Sequence, residues 1–106
     1  MDSPRIISLI LGSLEEMNLQ LPPERRIPIS PGTPLFGSGG WLDSLGMVNL
    51  IVLVEERIYN EFRVEIILSD AQTSSEQDSP FRNVETLADY ISRLIERSEK
   101  GGTDAG

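Results

Sequence analysis

The sequence reads as a small all-α bundle: three main helices plus one short helix or irregular segment. Three stretches repeat apolar residues at the spacing of a helix face. A fourth, Val64, Ile66 and Leu68, alternates as a strand would, but Ile67 spoils it and no second strand is available to pair with. The longest connection, 20–40, contains five prolines and four glycines, a density that excludes a helix or a central strand.

The first helix is expected over 4–18. Ser3 is a suitable N-cap, and Pro4 at the first helical position gives up no useful hydrogen bond. Ile6, Ile7, Ile10, Leu11, Leu14 and Met17 then form one face. Gly12 weakens the helix by about 1 kcal/mol without breaking the pattern. In the Pro- and Gly-rich connection no helix is expected, but Leu21, Ile27, Ile29, Leu35 and Phe36 are available to pin it to the core. A long loop with apolar anchors is more often functional than idle.

The second helix is expected over 44–60, with Asp43 as its N-cap. Leu45, Val48, Ile51, Val52, Glu55, Ile58, Tyr59 and Phe62 trace one stripe, and Met47, Leu50 and Val54 a second. Its first three turns are thus apolar nearly all round, so the helix is either buried or shows an apolar patch to a partner. Residues 64–72 read as a short irregular or helical piece, and 70–80 as an exposed, mobile loop with Ala71 its one apolar residue. The third helix is expected over 84–98, with Asn83 as cap and an apolar face of Val84, Leu87, Ala88, Ile91, Leu94 and Ile95. Gly101 and Gly102 should stop it, leaving one domain over 1–100 and a disordered tail over 101–106.

Composition removes many functions. The chain has 106 residues, a net charge of −8, and neither Cys nor His. That excludes disulfide scaffolds, thiolate nucleophiles, Cys/His zinc sites, Ser–His–Asp triads and imidazole acid–base catalysis. The negative charge argues against nucleic acids and anionic membrane surfaces as partners. Arg5, Glu15 and Glu16 interrupt the N-terminal apolar residues, unlike a secretory leader. The longest apolar run, Leu50 to Val54, is far short of the ~20 residues that span a bilayer. A soluble, cytoplasmic protein without stable membrane insertion is the expectation. No metal site is expected either, because the acidic stretch with Asp70, Glu76 and Asp78 lacks the central Gly and closing Glu of a calcium loop.

The residue most unusually placed is Ser44. It follows a Gly-rich loop and opens an apolar helix, where free backbone N–H groups and the positive dipole end favour a negatively charged group. A phosphoester on Ser44 suits that setting. A nucleophilic serine does not, since there is no His and the one Lys, Lys100, lies near the tail. Taken alone, Asp-Ser at a helix start is explained by two capping residues side by side.

The surrounding residues point further. Trp41-Leu42-Asp43-Ser44-Leu45-Gly46-Met47-Val48-Asn49-Leu50, preceded by Leu35-Phe36 and followed by Glu55-Glu56, resembles the acyl carrier protein family. Its members carry Asp-Ser-Leu at the start of the second helix, with 4′-phosphopantetheine on the serine. The order of helix, apolar-anchored loop, helix and final helix, over roughly 4–97, is similar too. Trp41 stands where many fatty-acid carriers have Gly, Gly46 and Asn49 stand where acidic residues are frequent, and 59–80 is longer. In these respects the chain looks closer to specialised freestanding carriers, including D-alanyl carriers, than to housekeeping fatty-acid carriers.

The resemblance implies an acyl-carrier-like bundle that is not itself an enzyme. Its cofactor would be a covalent 4′-phosphopantetheine arm, taken from coenzyme A, on Ser44 beside Asp43. The expected partners are a phosphopantetheinyl transferase, an acyl- or aminoacyl-loading ligase and a downstream transferase or synthase in lipid or secondary-metabolite biosynthesis. The carrier itself would be a monomer. Leu45, Val48 and Val52 would face partners, with Glu55 and Glu56 at the rim. Met47, Leu50, Ile51, Val54 and Ile58 would line the core or an acyl pocket. Residues 43–80 hold eight carboxylates against Arg57 and Arg63, which is either an ordinary solvated face or a means of steering toward basic partners. The competing reading is an unmodified helical adaptor that uses the apolar start of the second helix.

Overall fold

A computed structural model describes residues 3–37, 39–68 and 80–105, with backbone alone at 3 and 98–105. The element order is α1 (Ser3–Asn18), a single 3-10 turn (Pro23–Arg25), α2 (Ser44–Phe62) and α3 (Val84–Ala105). There is no strand among the described residues, only an isolated bridge between Pro34 and Asn83. The fold is a small all-α bundle.

α1 is its centre. It packs against both α2 and α3, whereas α2 and α3 make no close backbone approach to each other among the described residues. Two neighbours explain the wide apolar face of α1. Ile6, Ile10 and Leu14 are fully buried, and Ile7, Leu11 and Met17 are half-buried on its flanks. Met47, Leu50, Val54 and Ile58 face it from α2, and Val84, Leu87, Ala88, Ile91 and Ile95 from α3. Ile27, Leu35, Leu42, Ile66 and Leu68 of the connections are buried in the same cluster.

Several boundaries differ from expectation. Ser3 is the first helical residue of α1 and not its cap, a shift of one position. A helical turn does form in the proline-rich connection, because Pro22 and Pro23 occupy the cap and first position of a single turn, where a missing N–H costs nothing. Of the expected loop anchors, Ile27 and Leu35 are buried and Leu21 is half-buried, but Ile29 (39% exposed) and Phe36 (40%) are not. Leu42 and Thr33 are buried in their place, the Thr33 hydroxyl donating to Pro28 O at 2.7 Å.

α2 runs two residues past the expected end and closes on Arg63 in the left-handed region (φ 56°), whose N–H donates to Tyr59 O at 2.8 Å. Residues 63–68 are irregular, yet their alternation is genuine: Ile66 and Leu68 point inward and Ile67 outward. In place of a ladder partner, the Leu68 N–H donates to a carboxylate oxygen of Glu55 at 2.7 Å. The expected mobile loop, 70–80, lies outside the described residues except for Pro80. Asn83 caps α3 as expected, its Oδ1 accepting from Thr86 N at 2.8 Å while its own N–H donates to Thr86 Oγ1 at 3.1 Å. Gly101 and Gly102 do not stop that helix, which continues to Ala105 where a disordered tail was expected. Glycine lowers helix propensity but does not forbid helical dihedrals, and it ends a helix only when it turns left-handed.

Candidate functional site

The site is built from the connection that precedes α2. Its backbone doubles back on itself between 34 and 42. Trp41 N–H donates to Pro34 O at 3.3 Å, Leu42 N–H to Leu35 O at 2.8 Å and Gly40 N–H to Gly37 O at 3.0 Å. Gly37 and Gly39 make the reversal with positive φ (100° and 77°). Gly40 is required by proximity: a Cβ there would lie 2.6 Å from Leu35 O. The outer limb of the reversal is tied to the start of α3, Leu35 N–H donating to Arg82 O at 2.9 Å and Phe36 N–H to Phe81 O at 3.1 Å. The N-terminus of α2 is thereby anchored to the entry of α3, and Leu42 is buried just before the cap.

Asp43 then caps α2 from an extended conformation, its Oδ1 accepting from Gly46 N at 2.7 Å. Ser44, the first helical residue, is exposed, and its hydroxyl makes no hydrogen bond among the described residues. Asp43 alone therefore does the side-chain capping. The N–H groups of Ser44 and Leu45 likewise have no protein acceptor among the described residues. These are the orphan donors to which a helix N-terminus adds its partial positive charge.

Along α2 the residues sort by face. Leu45 (69% exposed), Val48 (55%) and Val52 (52%) recur at i, i+3 and i+7 and point to solvent. Glu56 is exposed beside them. Glu55 is half-buried, and its bond to Leu68 N–H gives it a structural role besides any at a rim. Met47, Leu50, Val54 and Ile58 are buried in the core, and Ile51 is half-buried against it.

None of these last five lines the open groove of about 770 Å³ that runs beside Ser44. One wall of the groove is the end of α1 and the 3-10 turn, with Met17, Leu21, Arg25 and Ile27. The other is the outer side of α2, with Leu45, Gly46, Asn49, Val52 and Leu53. Trp41, Leu42 and Asp43 form the end nearest Ser44. The first wall is held by Asn18, whose amide bonds both backbone groups of Ile27. Sequence reasoning missed the groove. Its signal was Leu53, an apolar residue that belongs to neither core stripe of α2 and shares a side with Leu45, Asn49 and Val52.

No group of three or more Asp, Glu, His or Cys residues able to hold a metal occurs among the described residues, and Asp70, Glu76 and Asp78 lie outside them. No helix of the described residues is long and apolar enough to cross a membrane. Compared with family models, curated proteins and solved structures, the chain matches none of them.

Proposed function

We propose that the protein is a carrier that holds an acyl or aminoacyl group on a 4′-phosphopantetheine arm attached to Ser44 and presents it to partner enzymes. One observation carries the reading. In Asp43-Ser44-Leu45 the aspartate does the capping and the serine is left exposed and uncommitted at the start of α2. That division of labour suits a serine that becomes a phosphodiester. The N–H groups of Ser44 and Leu45, which have no protein acceptor among the described residues, and the helix dipole would stabilise its negative charge. When attached, the arm supplies the thiol that this Cys-free chain lacks, and with it the capacity to hold a thioester. The chain's own residues orient the attachment point and offer a docking face.

The partners of such a carrier are a phosphopantetheinyl transferase, a loading ligase and a downstream transferase or synthase. Leu45, Val48 and Val52 form the face on which they would dock, beside Glu56. The departures at Trp41, Gly46 and Asn49 favour a specialised freestanding carrier, with the D-alanyl type among them. The decisive experiment is incubation with coenzyme A and a phosphopantetheinyl transferase, read by intact mass. The wild type is expected to gain one arm and Ser44→Ala none. A wild type that gains nothing refutes the reading, as does a Ser44→Ala variant that still gains the arm.

A second reading uses the same surface. The exposure of Leu45, Val48 and Val52 on consecutive turns also suits an unmodified adaptor. It is favoured if partners bind the protein without any mass gain.

A further inference from the structure

We propose that the docking face of α2 continues onto the segment after the helix, with Ile67 as a further apolar anchor and Glu55 as the residue that positions it. The partner it fits is an enzyme surface with an apolar centre and a cationic rim. The inference rests on the carrier reading above. Ile67 is 58% exposed, as open as Val48 and Val52, although its neighbours Ile66 and Leu68 are buried. The Glu55 carboxylate fixes where it lies. Glu55 Oε2 accepts from Leu68 N–H at 2.7 Å, and that nitrogen is covalently bonded to the carbonyl carbon of Ile67. Ile67 therefore sits directly beside Glu55, turned outward while Leu68 turns into the core. The backbone of 64–68 makes no other main-chain hydrogen bond among the described residues, so the bond to Glu55 is its polar tie to α2.

Glu55 in turn belongs to the side of α2 that carries the proposed attachment point. Ser44, Val48, Glu55 and Tyr59 recur at i, i+4, i+11 and i+15, with Val52 next to them. Ser44 to Glu55 is about 16 Å of helix, at about 1.5 Å per residue. A partner footprint of about 800 Å², roughly 30 Å across, spans that distance. An enzyme that reaches Ser44 over Val48 thus also reaches Ile67. The charges around this surface specify its complement. Glu56 and Glu65 are exposed and make no ion pair among the described residues. Glu65 shares the outward side of its segment with Ile67. Arg63 lies against the Tyr59 ring, 5.8 Å from its centroid. Apolar residues rimmed by unpaired carboxylates match apolar side chains rimmed by Lys or Arg.

The test follows the rate of mass gain on the full-length protein, with coenzyme A and a phosphopantetheinyl transferase, at increasing concentrations of the protein. Ile67→Asp should raise the KM for the protein about five- to tenfold, the effect of losing one partly buried apolar side chain, and leave kcat within about twofold. Its urea midpoint should equal that of the wild type, because Ile67 is exposed. Glu55→Ala should raise KM by a similar factor. Glu55→Gln, which keeps an acceptor for Leu68 N–H, should fall between Glu55→Ala and wild type. The double variant of Ile67→Asp and Glu55→Ala should be no worse than the worse single variant, since Glu55 acts through Ile67.

A wild-type KM in Ile67→Asp overturns the proposal. So does a double variant whose two effects multiply, or a Glu55→Gln as damaging as Glu55→Ala, since Glu55 would then meet the partner by its own charge. A wild type that sediments as a dimer, with Ile67→Asp a monomer, would give the surface to a second copy of this chain and overturn it too. In all these outcomes the mass gain on Ser44 leaves the carrier reading standing. Absence of that mass gain in the wild type overturns both.

Discussion

Asn18 holds Ile27 by both of its backbone groups, with Nδ2 donating to Ile27 O at 2.9 Å and Oδ1 accepting from Ile27 N–H at 2.8 Å. A side-chain amide here substitutes for a neighbouring strand and closes the connection into a fixed wall. Asn18→Ala should cost about 1–3 kcal/mol, because it leaves a donor and an acceptor at a buried residue without partners. Thermal unfolding would register a drop of about 4–8 °C per kcal/mol for a domain of this size. Faster amide exchange at Ile27 than at Leu14 would localise the effect.

Gly40 and Gly32 make a matched pair. A Cβ on Gly40 would sit 2.6 Å from Leu35 O and 2.9 Å from Phe36 C, whereas one on Gly32 meets nothing within 4 Å. Gly40→Ala should therefore destabilise by about 1–3 kcal/mol or more, as overpacking against backbone does. Gly32→Ala should stay within about 0.5 kcal/mol of wild type. Urea midpoints of the two variants at equal slope check this. A Gly40→Ala protein as stable as wild type would mean that the reversal between 34 and 42 is not formed.

The cap and the proposed attachment point are different residues at the start of α2. Asp43→Ala should lower stability by about 0.5–2 kcal/mol through loss of the bond to Gly46 N–H. Ser44→Ala should leave stability within about 0.5 kcal/mol while abolishing the mass gain from coenzyme A, since the Ser44 hydroxyl makes no hydrogen bond among the described residues. Calorimetry and intact mass on the two variants are expected to move in opposite ways.

Docking should depend on the apolar face more than on the flanking charge. Exposed ion pairs are worth about 0–1 kcal/mol and are screened by salt, whereas burying a Val or Leu is worth about 1.5–3 kcal/mol. Val48→Asp should slow loading by the cognate enzyme more than Glu56→Gln does, and wild-type loading should survive moderate salt. Glu55→Gln differs from both, because it weakens the bond to Leu68 N–H and should loosen 63–68. Loading rates at two ionic strengths, with exchange at Leu68, separate the three. Crippled loading in Glu56→Gln, together with collapse of wild-type loading in salt, would show docking to be electrostatic.

The helices were legible because their apolar periodicity is strong and their caps are ordinary. Asn83 and Asp43 each cap as their residue type and position suggest. The inner and outer faces of α2 were legible too, but only with the family resemblance, since Leu45, Val48 and Val52 are as apolar as Leu50 and Val54. Hydropathy cannot separate two apolar stripes on one helix. Packing does, and here α1 covers the stripe of Leu50, Val54 and Ile58. The groove was not legible, because Arg25, Trp41 and Leu53 come from three segments that only the tertiary fold brings together. Nor was the bond between Glu55 and Leu68, which spans thirteen residues and ends on a main-chain amide. Ile29 and Phe36 were misjudged because hydropathy alone does not say which side of an irregular loop faces inward.

The central place of α1 also bears on how the chain is made. α1 is synthesised before both of its packing partners, α2 and then α3. At about 5–20 residues per second, the face of Ile6, Ile10 and Leu14 waits on the order of several seconds for α3 to appear. During that interval α2 can shield only part of it. Sticky surface is thus exposed longest in the nascent chain, and a slow codon run between 63 and 83 would prolong its exposure. Moving α3 ahead of α1 by circular permutation would shorten that wait at the level of synthesis.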